Sequence, residues 1–398
     1  MLSVEEALER LLSGVGETDV ERVELGGAFG RVPADREVTA GHDVPPFSNS
    51  AMDGYAVRVA DGEAARRVVG ESRAGGPPAP TVEAGMAVRI MTGAPMPAGA
   101  DAVVPVEEAD EIGGHLRLHV PPRADAHVRP AGHDVAAGSQ VNLPRAPMTP
   151  ALIGLLAALG LPELRVRRRP RVAILSTGDE LVAAGETLAR GQIHDANGPA
   201  LAAAVTEAGG EALLLERAPD DPALIERGVR EGAELGDLLI VSGGVSVGEH
   251  DHVRSVIERI GALDFWRISV QPGKPLAFGR IAERPVIGLP GNPVSALVTF
   301  ELFVRPMLRR MLGLAGDGRV RVRALVSEAI AKDPDRRAYL RVRVRRDGDR
   351  YLASPAGGQA SSQLLPLASA NALLVVPEGV AATQPGTAYE AILLGPTE

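Results

Sequence analysis

The stretch Val172-Ala173-Ile174-Leu175-Ser176-Thr177-Gly178-Asp179-Glu180 decides how the chain is interpreted, because a strand-like apolar run leads directly into a glycine turn. The same order recurs where residues 238–241 lead into Ser242-Gly243-Gly244, and where residues 285–289 lead into Pro290-Gly291-Asn292-Pro293. In an open α/β sheet, ligands bind beyond the carboxyl ends of the strands. Glycine there lets backbone N–H groups approach an anion, and helix N-termini add positive potential. Three such turns with carboxylates beside them predict a site for a phosphate-bearing ligand and a metal ion.

The pattern around these turns changes along the chain. An amphipathic helix is predicted over residues 3–13, with Ser3 and Glu6 as a capping box. Residues 20–147 show short alternating segments broken by glycine and proline, which predicts β-rich structure, and a second helix starts at Thr149. Residues 170–313 alternate strands and helices, as is typical of a doubly wound parallel sheet. Beyond them a period of two returns and predicts a small β-barrel or sandwich.

We therefore predict a multidomain α/β plus β protein. Its β-rich N-terminal half spans 1–169. A doubly wound α/β domain follows over 170–315, and a C-terminal β-barrel or sandwich domain over 316–398. Within the α/β domain we expect Asn197 to cap a helix that ends at Gly209-Gly210.

Composition excludes several classes of function. The net charge of −9 argues against a broad attraction to nucleic acid or an acidic membrane, and 3% aromatic residues argue against a base-stacking surface. The chain has no cysteine, which excludes disulfides, zinc–thiolate sites and cysteine nucleophiles. The longest apolar run, over 151–161, is shorter than the ~20 residues that span a bilayer. Acidic residues at the N-terminus are not typical of a signal peptide, so we expect a cytoplasmic protein.

Residues beside the turns suggest the chemistry. Either Asp179 or Glu180 could hold Mg²⁺, and because successive side chains diverge we favour Glu180. Asp251 follows the second turn and is either a metal ligand or a helix N-cap. Lys274 lies on a loop stiffened by two prolines and is either an oxyanion ligand or a surface lysine in a turn.

The β-rich half carries polar turns of its own. Asp53, Thr92 and the Gly132-His133-Asp134 segment are each consistent with a simple tight turn when taken alone. No Walker loop, dinucleotide fingerprint or nucleophile elbow occurs. The residues alone thus predict an enzyme that acts on a phosphorylated or oxyanionic ligand, and they leave the reaction open.

Taken together, the motifs resemble those of the molybdopterin molybdenumtransferase family, known as MoeA in bacteria and as the E domain of gephyrin in animals. The resemblance covers essentially the whole chain and rests on the order and spacing of PPFSNSAMDGYAVR (45–58), IMTGAP (90–95), STGDEL (176–181), GQIHDAN (191–197), GGVSVGEHD (243–251), PGKPLAF (272–278) and LPGNPVS (289–295). It implies an elongated N-terminal half built from two subdomains, one helical and β (1–44 with 146–169) and one an inserted β-rich subdomain (45–145). A molybdopterin-binding α/β domain and a C-terminal β domain would follow. It also implies a homodimer whose active cleft lies between the α/β domain of one subunit and the β-rich subdomain of the other.

The implied reaction is insertion of molybdate into adenylylated molybdopterin, with Mg²⁺ required and AMP released. Carried over by motif position, the catalytic residues would be Asp53, Thr92, Glu180 and Asp251. The metal ligands would be Asp134, Glu180, Asp220 and Asp251. The residues contacting molybdopterin would be Ser176, Thr177, Gly178, Ser242, Gly243, Gly244, Pro290, Gly291, Asn292 and Pro293. Molybdate would be held by Arg267, Lys274, Arg341 and Ser361.

Some of these assignments have alternatives. Asp221 could replace Asp220, and Ser362 could replace Ser361. Many relatives carry lysine where this chain has Gln271, so we expect weaker molybdate binding. The absence of cysteine fits, because the soft sulfur ligands of molybdenum would come from the dithiolene of the cofactor.

Two other functions compete with this one. A molybdopterin adenylyltransferase shares the fold of the central domain alone, but it would lack the Asp53 and Thr92 motifs and the C-terminal domain. A non-catalytic cofactor-binding scaffold would not need the acidic residues and Lys274. The resemblance further implies transient contact with a molybdopterin adenylyltransferase and with apo-molybdoenzymes, and no nucleic-acid or membrane partner.

Overall fold

The computed structural model describes residues 1–244 and 252–397, and the chain divides into two compact units. We call Met1–Glu21, Gly30–Val32 and Val166–Glu398 the core unit. We call Arg22–Phe29 and Pro33–Arg165 the β-rich unit. No helix among the described residues is long and apolar enough to cross a membrane.

The first helix, α1 (Val4–Ser13), belongs to the core unit. Its predicted capping box is present, since the Ser3 hydroxyl accepts from the Glu6 N–H at 3.1 Å and the Glu6 carboxylate accepts from the Ser3 N–H at 2.8 Å. Ala7 and Leu11 point from one face of the helix into the hydrophobic core and are fully buried. Burying that stripe fixes α1 on the core unit.

The next part of the chain is β-rich, as predicted. Its strands are β1 (Val20–Glu24), β2 (Glu37–Thr39), β3 (Asn49–Ser50), β4 (Gly54–Val57), β5 (Arg66–Ser72), β6 (Met86–Ile90), β7 (Ala102–Pro105), β8 (Ala109–Ile112), β9 (His115–Leu118), β10 (Val128–Arg129), β11 (Gln140–Asn142) and β12 (Glu163–Arg167). A six-stranded sheet has the order β7-β4-β6-β5-β9-β8. Helix α2 (Pro150–Ala158) starts at Thr149, whose hydroxyl accepts from the Leu152 N–H, as predicted.

The core unit contains the predicted α/β sheet. The strands in this part of the chain, six of which form that sheet, are β13 (Arg171–Ser176), β14 (Leu181–Val182), β15 (Ile193–His194), β16 (Glu211–Leu214), β17 (Leu238–Ser242), β18 (Ala262–Trp266), β19 (Val270–Gln271), β20 (Ala277–Ile281) and β21 (Arg284–Leu289). Its helices are α3 (Asn197–Glu207), α4 (Pro222–Leu235), α5 (His252–Ile260), α6 (Pro293–Thr299) and α7 (Arg305–Met311), with a π-helical turn (Phe300–Val304) joining the last two.

The sheet order is β16-β13-β17-β21-β20-β18, and one strand departs from the parallel arrangement of a doubly wound sheet. The first four strands are parallel. Strand β20 runs antiparallel to both β21 and β18, so β18 again has the direction of the first four. The reason is the connection between β20 and β21. It consists only of Ala282 and Glu283, both at positive φ, and so short a turn can join only antiparallel strands.

The C-terminal part is a closed barrel rather than a sandwich. Its strands are β22 (Arg321–Val326), β23 (Arg337–Asp347), β24 (Arg350–Pro355), β25 (Ala372–Val376) and β26 (Ala388–Leu393), with α8 (Leu364–Ala368) between β24 and β25. The order β23-β24-β22-β26-β25 closes on itself because β23 also pairs with β25. The short strand β19 pairs with the start of β23 and so connects the barrel to the α/β domain.

Candidate functional site

The three glycine turns meet at one edge of the core-unit sheet. In the register of the parallel strands, Ser176 lies beside Ser242, and Ser242 lies beside Leu289. A cavity of about 580 Å³ opens beyond these strand ends. All ten residues predicted to contact molybdopterin line it, together with Glu180, Leu181, Ile193, His194, Asp195, Ala196, Asn197, Asp220, Pro275 and Ser362.

Two pairs of adjacent acidic residues, 179–180 and 220–221, lie at this cavity, and only one member of each pair lines it. The Glu180 carboxylate folds over Gly178, where an added Cβ would lie 2.6 Å from Glu180 Oε2. Asp179 points elsewhere, since its Oδ1 accepts from the Asp220 N–H at 2.9 Å. Asp221 caps α4 by accepting from two backbone N–H groups, which leaves Asp220 as the member of the pair that lines the cavity. One carboxylate from each adjacent pair therefore faces the ligand space.

The expectation that backbone amides of these turns face an anion is wrong at three positions. The N–H of Thr177 donates to Ser242 O at 3.0 Å, and that of Gly178 to Ala218 O at 3.1 Å. The N–H of Gly243 donates to Leu289 O at 3.1 Å. The amides of Thr177 and Gly243 link the first turn to the end of β17 and the second turn to the end of β21, and the amide of Gly178 ties the first turn to the segment after β16. A buried N–H needs such a partner within the fold.

The Thr177 hydroxyl lies among the turns without a hydrogen-bond partner among the described residues, and it is buried. Cβ atoms added at Gly243 and Gly244 would lie 2.8 Å and 3.3 Å from this oxygen. Glycine at those positions thus leaves room around a polar atom that the fold itself does not satisfy. An unsatisfied buried hydroxyl costs free energy, and such groups are retained where they meet a ligand.

Asn197 joins the turns, which is not the role predicted for it. It lies inside α3 rather than capping it, and its Nδ2 donates to Ser242 Oγ and to Gly291 O, each at 2.8 Å. Asp195 makes the capping contact instead, accepting from the Gly198 N–H at 2.9 Å. The motif GQIHDAN was recognised from the sequence, but nothing in it indicated that the amide bridges two turns.

The predicted metal ligands are only partly brought together. Glu180 and Asp220 line the same cavity, and Asp251 lies outside the described residues. Asp134 belongs to the β-rich unit, where it is exposed and its N–H donates to Val44 O at 2.9 Å. Within residues 1–244 and 252–397, no three histidine or acidic side chains are grouped closely enough to hold a metal ion by themselves.

The predicted molybdate residues have different surroundings. Lys274 is exposed and its neighbour Pro275 lines the cavity, while Arg267 is half-buried at a φ of 102°. Arg341 is 1% exposed and does not line the cavity. Ser362 lines the cavity, whereas the Ser361 hydroxyl accepts from Asn292 Nδ2 at 3.1 Å.

Gln271, at which the sequence predicted weaker molybdate binding, faces the barrel. Its Oε1 accepts from the Asp333 N–H at 3.0 Å, and it does not line the cavity. In this chain the side chain therefore connects β19 to the barrel.

In the β-rich unit, the two predicted motifs meet. Oδ1 of Asp53 accepts from the Thr92 N–H at 2.6 Å and from the Thr92 hydroxyl at 2.7 Å. These two hydrogen bonds, the backbone one first, hold the pKa of the exposed Asp53 carboxyl below its ordinary value. We call residues 48–53 with 92–96 the loop pair; backbone bonds between Ser50 and both Gly93 and Ala94 stabilise it. Asp53 thus presents an ionised carboxylate with one oxygen already oriented.

Comparison with protein families matches three consecutive segments. Residues 2–160 match the MoeA N-terminal region (domain I and II), residues 173–310 a probable molybdopterin binding domain, and residues 323–394 the MoeA C-terminal region (domain IV). Together these matches cover most of the chain in the order predicted from the motifs.

Individual relatives agree. The chain is 40% identical to molybdopterin molybdenumtransferase 2 of Mycobacterium tuberculosis over 364 residues, which is 88% of this chain and 89% of that protein. It is 39% identical to the molybdopterin molybdenumtransferase of Haemophilus influenzae, covering 79% of this chain and 78% of that one. A crystal structure of the MoeA protein from Pyrococcus horikoshii matches with a TM-score of 0.84 and 33% identity over 100% of both chains.

These findings define an enzyme of molybdenum cofactor biosynthesis, built on the fold predicted from the sequence. The chain belongs to the molybdopterin molybdenumtransferase family, as its motifs had indicated.

Proposed function

We propose that the enzyme inserts molybdate into adenylylated molybdopterin with Mg²⁺-dependent release of AMP. The observation that carries the proposal is the core-unit cavity, where three glycine turns, a hydroxyl without a described partner and the two predicted metal ligands Glu180 and Asp220 converge. The turns provide space for an extended phosphorylated ligand. The carboxylates at the same edge could hold the metal ion that the cleavage of a phosphoanhydride needs.

The donor set of the cavity fits Mg²⁺. This ion prefers oxygen ligands and is commonly bound by one or two carboxylates together with substrate phosphates. Glu180 and Asp220 are two such carboxylates, and the substrate would supply the remaining oxygens. When bound there, Mg²⁺ would neutralise the charge that develops as the anhydride breaks.

The other residues of the cavity bind and orient the substrate. The Thr177 hydroxyl would donate to an oxygen of the ligand and so gain the partner that it lacks. Asn197 bonds to Ser242 and to the Gly291 carbonyl, and so links two walls of the cavity. Orienting substrate groups in this way lowers the entropic cost of the reaction.

The chain supplies no sulfur ligand to molybdenum, because it contains no cysteine. In the proposed reaction the dithiolene of molybdopterin provides the soft ligands, and the protein provides oxygen and nitrogen donors. Lys274 is the described cation best placed to guide molybdate, since it is exposed next to Pro275 in the cavity wall.

We further propose that the enzyme is a homodimer in which the loop pair of one subunit completes the cavity of the other. Asp53 and Thr92 would then act on the substrate bound in the partner subunit. What supports this is that Asp53 is ionised and oriented although the β-rich unit offers it no cation among the described ion pairs. We also propose that the enzyme works in the cytoplasm. There it would make transient contacts with a molybdopterin adenylyltransferase and with apo-molybdoenzymes.

The test is AMP release from adenylylated molybdopterin in the presence of Mg²⁺, with and without molybdate. We expect release that depends on molybdate and yields a product able to activate an apo-molybdoenzyme. Consumption of ATP with metal-free molybdopterin would instead identify an adenylyltransferase. Tight ligand binding without turnover would identify a scaffold, and either result would overturn the proposal.

A further inference from the structure

The substrate cavity has two chemically different ends. Glu180 follows β13 and Asn292 follows β21, with β17 between the two strands. Neighbouring strands lie about 4.8 Å apart, so the strand ends that carry these residues are roughly 10 Å apart. The β13 end carries carboxylates, whereas the β21 end carries amide and hydroxyl groups. In the proposed reaction Mg²⁺ and the substrate phosphates would occupy the first end. A separate tetrahedral oxyanion is repelled by carboxylates that carry no cation, and it can be hydrogen-bonded at the second end.

A loop of the barrel forms the wall at the β21 end. We call residues 357–362 the barrel loop. Its Ser361 receives two hydrogen bonds from the turn after β21, one from Asn292 Nδ2 to the hydroxyl at 3.1 Å and one from the Val294 N–H to the carbonyl at 3.2 Å. The next residue, Ser362, lines the cavity. The position of this loop therefore determines which hydroxyl groups the ligand meets.

The amide of Gln359 fastens the barrel loop to β23. Its Oε1 accepts from the Arg341 N–H at 2.9 Å, and its Nε2 donates to the Arg341 carbonyl at 3.0 Å. Nε2 also donates to Gly357 O at 3.1 Å. The Arg341 carbonyl also accepts from the Ala356 N–H at 3.1 Å, so the Gln359 amide extends strand-like hydrogen bonding to β23 past Pro355, the last residue of β24.

The Arg341 guanidinium also holds the barrel loop. Its Nη2 donates to Gly358 O at 3.2 Å and to Ala360 O at 3.1 Å. No carboxylate among the described residues pairs with it, and its buried Nε has no described hydrogen-bond partner. A buried, unpaired positive charge behind the loop makes the loop favourable for an anion, because such a charge is costly without a counter-charge.

We propose that Gln359 is a positioning residue for the oxyanion substrate. By fastening the barrel loop to β23, it holds Ser361 and Ser362 at the β21 end of the cavity and keeps the charge of Arg341 behind them. Gln359 does not itself line the cavity. The inference rests on the proposed function, because molybdate is the oxyanion of that reaction.

The same strand offers a matched control. At Val344, three residues further along β23, the Asn371 amide makes the same reciprocal pair: Oδ1 accepts from the Val344 N–H at 2.7 Å and Nδ2 donates to its carbonyl at 2.8 Å. Asn371 also donates to Pro396 O and does not line the cavity. Substituting either amide removes the same kind of contact, but only Gln359 holds the barrel loop.

The experiment compares Gln359→Ala and Asn371→Ala with the wild type, in the full chain. It measures the KM for molybdate and the KM for adenylylated molybdopterin in AMP release, the dissociation constant of molybdate alone by calorimetry, and Tm. For Gln359→Ala we expect both molybdate constants to rise about tenfold, with the KM for adenylylated molybdopterin within about twofold of wild type. For Asn371→Ala we expect a similar fall in Tm and unchanged molybdate constants.

The inference is overturned if both variants lower Tm while molybdate binding stays at the wild-type value in both. If Gln359→Ala does not fold, Gln359→Met serves instead, because it keeps the length of the side chain without adding charge and removes both the acceptor for the Arg341 N–H and the donor to its carbonyl; the same tenfold rise is expected. If the wild type binds molybdate but releases no AMP, the proposed function fails while the calorimetric comparison still decides the role of Gln359.

Discussion

The core-unit cavity and the loop pair of the β-rich unit present polar groups in opposite ways. In the cavity, the Thr177 hydroxyl is buried and has no partner among the described residues. In the loop pair, the Asp53 carboxylate is exposed, and one of its oxygens already accepts two hydrogen bonds. The cavity is therefore shaped to gain contacts from a ligand, whereas the loop pair is shaped to hold a charge in a fixed orientation. If the loop pair completes the cavity of the partner subunit as proposed, the two regions are expected to respond differently to mutation.

The largest effect should come from the acidic end of the cavity. Glu180→Gln keeps the shape of the side chain and removes the charge proposed to hold Mg²⁺, so we expect kcat to fall by about 10²-fold or more. The neighbouring Asp179→Asn is the control, because Asp179 accepts from the Asp220 N–H and does not line the cavity. Steady-state AMP release with both variants checks this, and equal losses would contradict the assignment of Glu180.

The second effect concerns the packing of the turns. In Gly243→Ala the new Cβ would lie 2.6 Å from the Thr177 carbonyl oxygen at a φ of 106°, so contact and backbone strain add. We expect the free energy of unfolding to fall by about 3 kcal/mol. Gly185→Ala is matched for backbone strain alone, since Gly185 has a φ of 94° and nothing within 4 Å of the added carbon. Urea unfolding of both should separate the two contributions; equal losses would mean that the turns are not closely packed.

The third effect is on affinity. Thr177→Val removes a hydroxyl that the fold does not satisfy, so we expect unchanged or slightly higher stability and a KM for adenylylated molybdopterin raised about fivefold to tenfold. Thr299→Val should behave in the opposite way. The Thr299 hydroxyl is buried and donates to Ser295 O at 2.7 Å, so its loss should cost about 1 kcal/mol of stability and leave KM unchanged. A Thr177 variant that lost stability and kept its KM would show that the hydroxyl serves the fold.

The smallest effect is on pH dependence. Hydrogen bonds from Thr92 lower the pKa of Asp53, so the ionised form persists to lower pH than in an ordinary aspartate and is lost as pH falls through that pKa. Thr92→Val removes one of the two donors and should raise the pKa toward its usual value, moving the acid limb of activity to higher pH. Thr92→Ser keeps both donors and should match the wild type. Carbon-13 titration of the Asp53 carboxyl measures this directly, and an unchanged titration in Thr92→Val would contradict it.

The two regions also differ in how far the sequence predicts them. The convergence of the three turns follows from topology alone, because parallel strands place their carboxyl ends at one edge. The meeting of Asp53 with Thr92 joins loops 39 positions apart, and only the resemblance to a family indicated it. The roles of two side-chain amides could not be predicted from the local sequence. Asn197 bridges two turns, and Gln359 extends the pairing of β23 beyond the end of β24. Both roles depend on distances that only the tertiary fold sets.

The reversed direction of β20 could not be predicted from the sequence pattern, for a related reason. The alternation of strands and helices predicts parallel pairing, but the two-residue connection through Ala282 and Glu283 reverses the chain. Neither residue is typical of a turn with positive φ, so the sequence pattern did not indicate a tight turn at this point.

The measurement that tests the account most directly is complementation between two inactive variants, Asp53→Asn and Glu180→Gln. If the loop pair of one subunit completes the cavity of the other, a mixed dimer contains one site with both substitutions and one with neither. Unfolding and refolding an equal mixture should then restore about a quarter of wild-type AMP release, since half of the dimers would be mixed. No recovery, with mixed dimers shown to form, would contradict the proposal that the active site is shared between subunits.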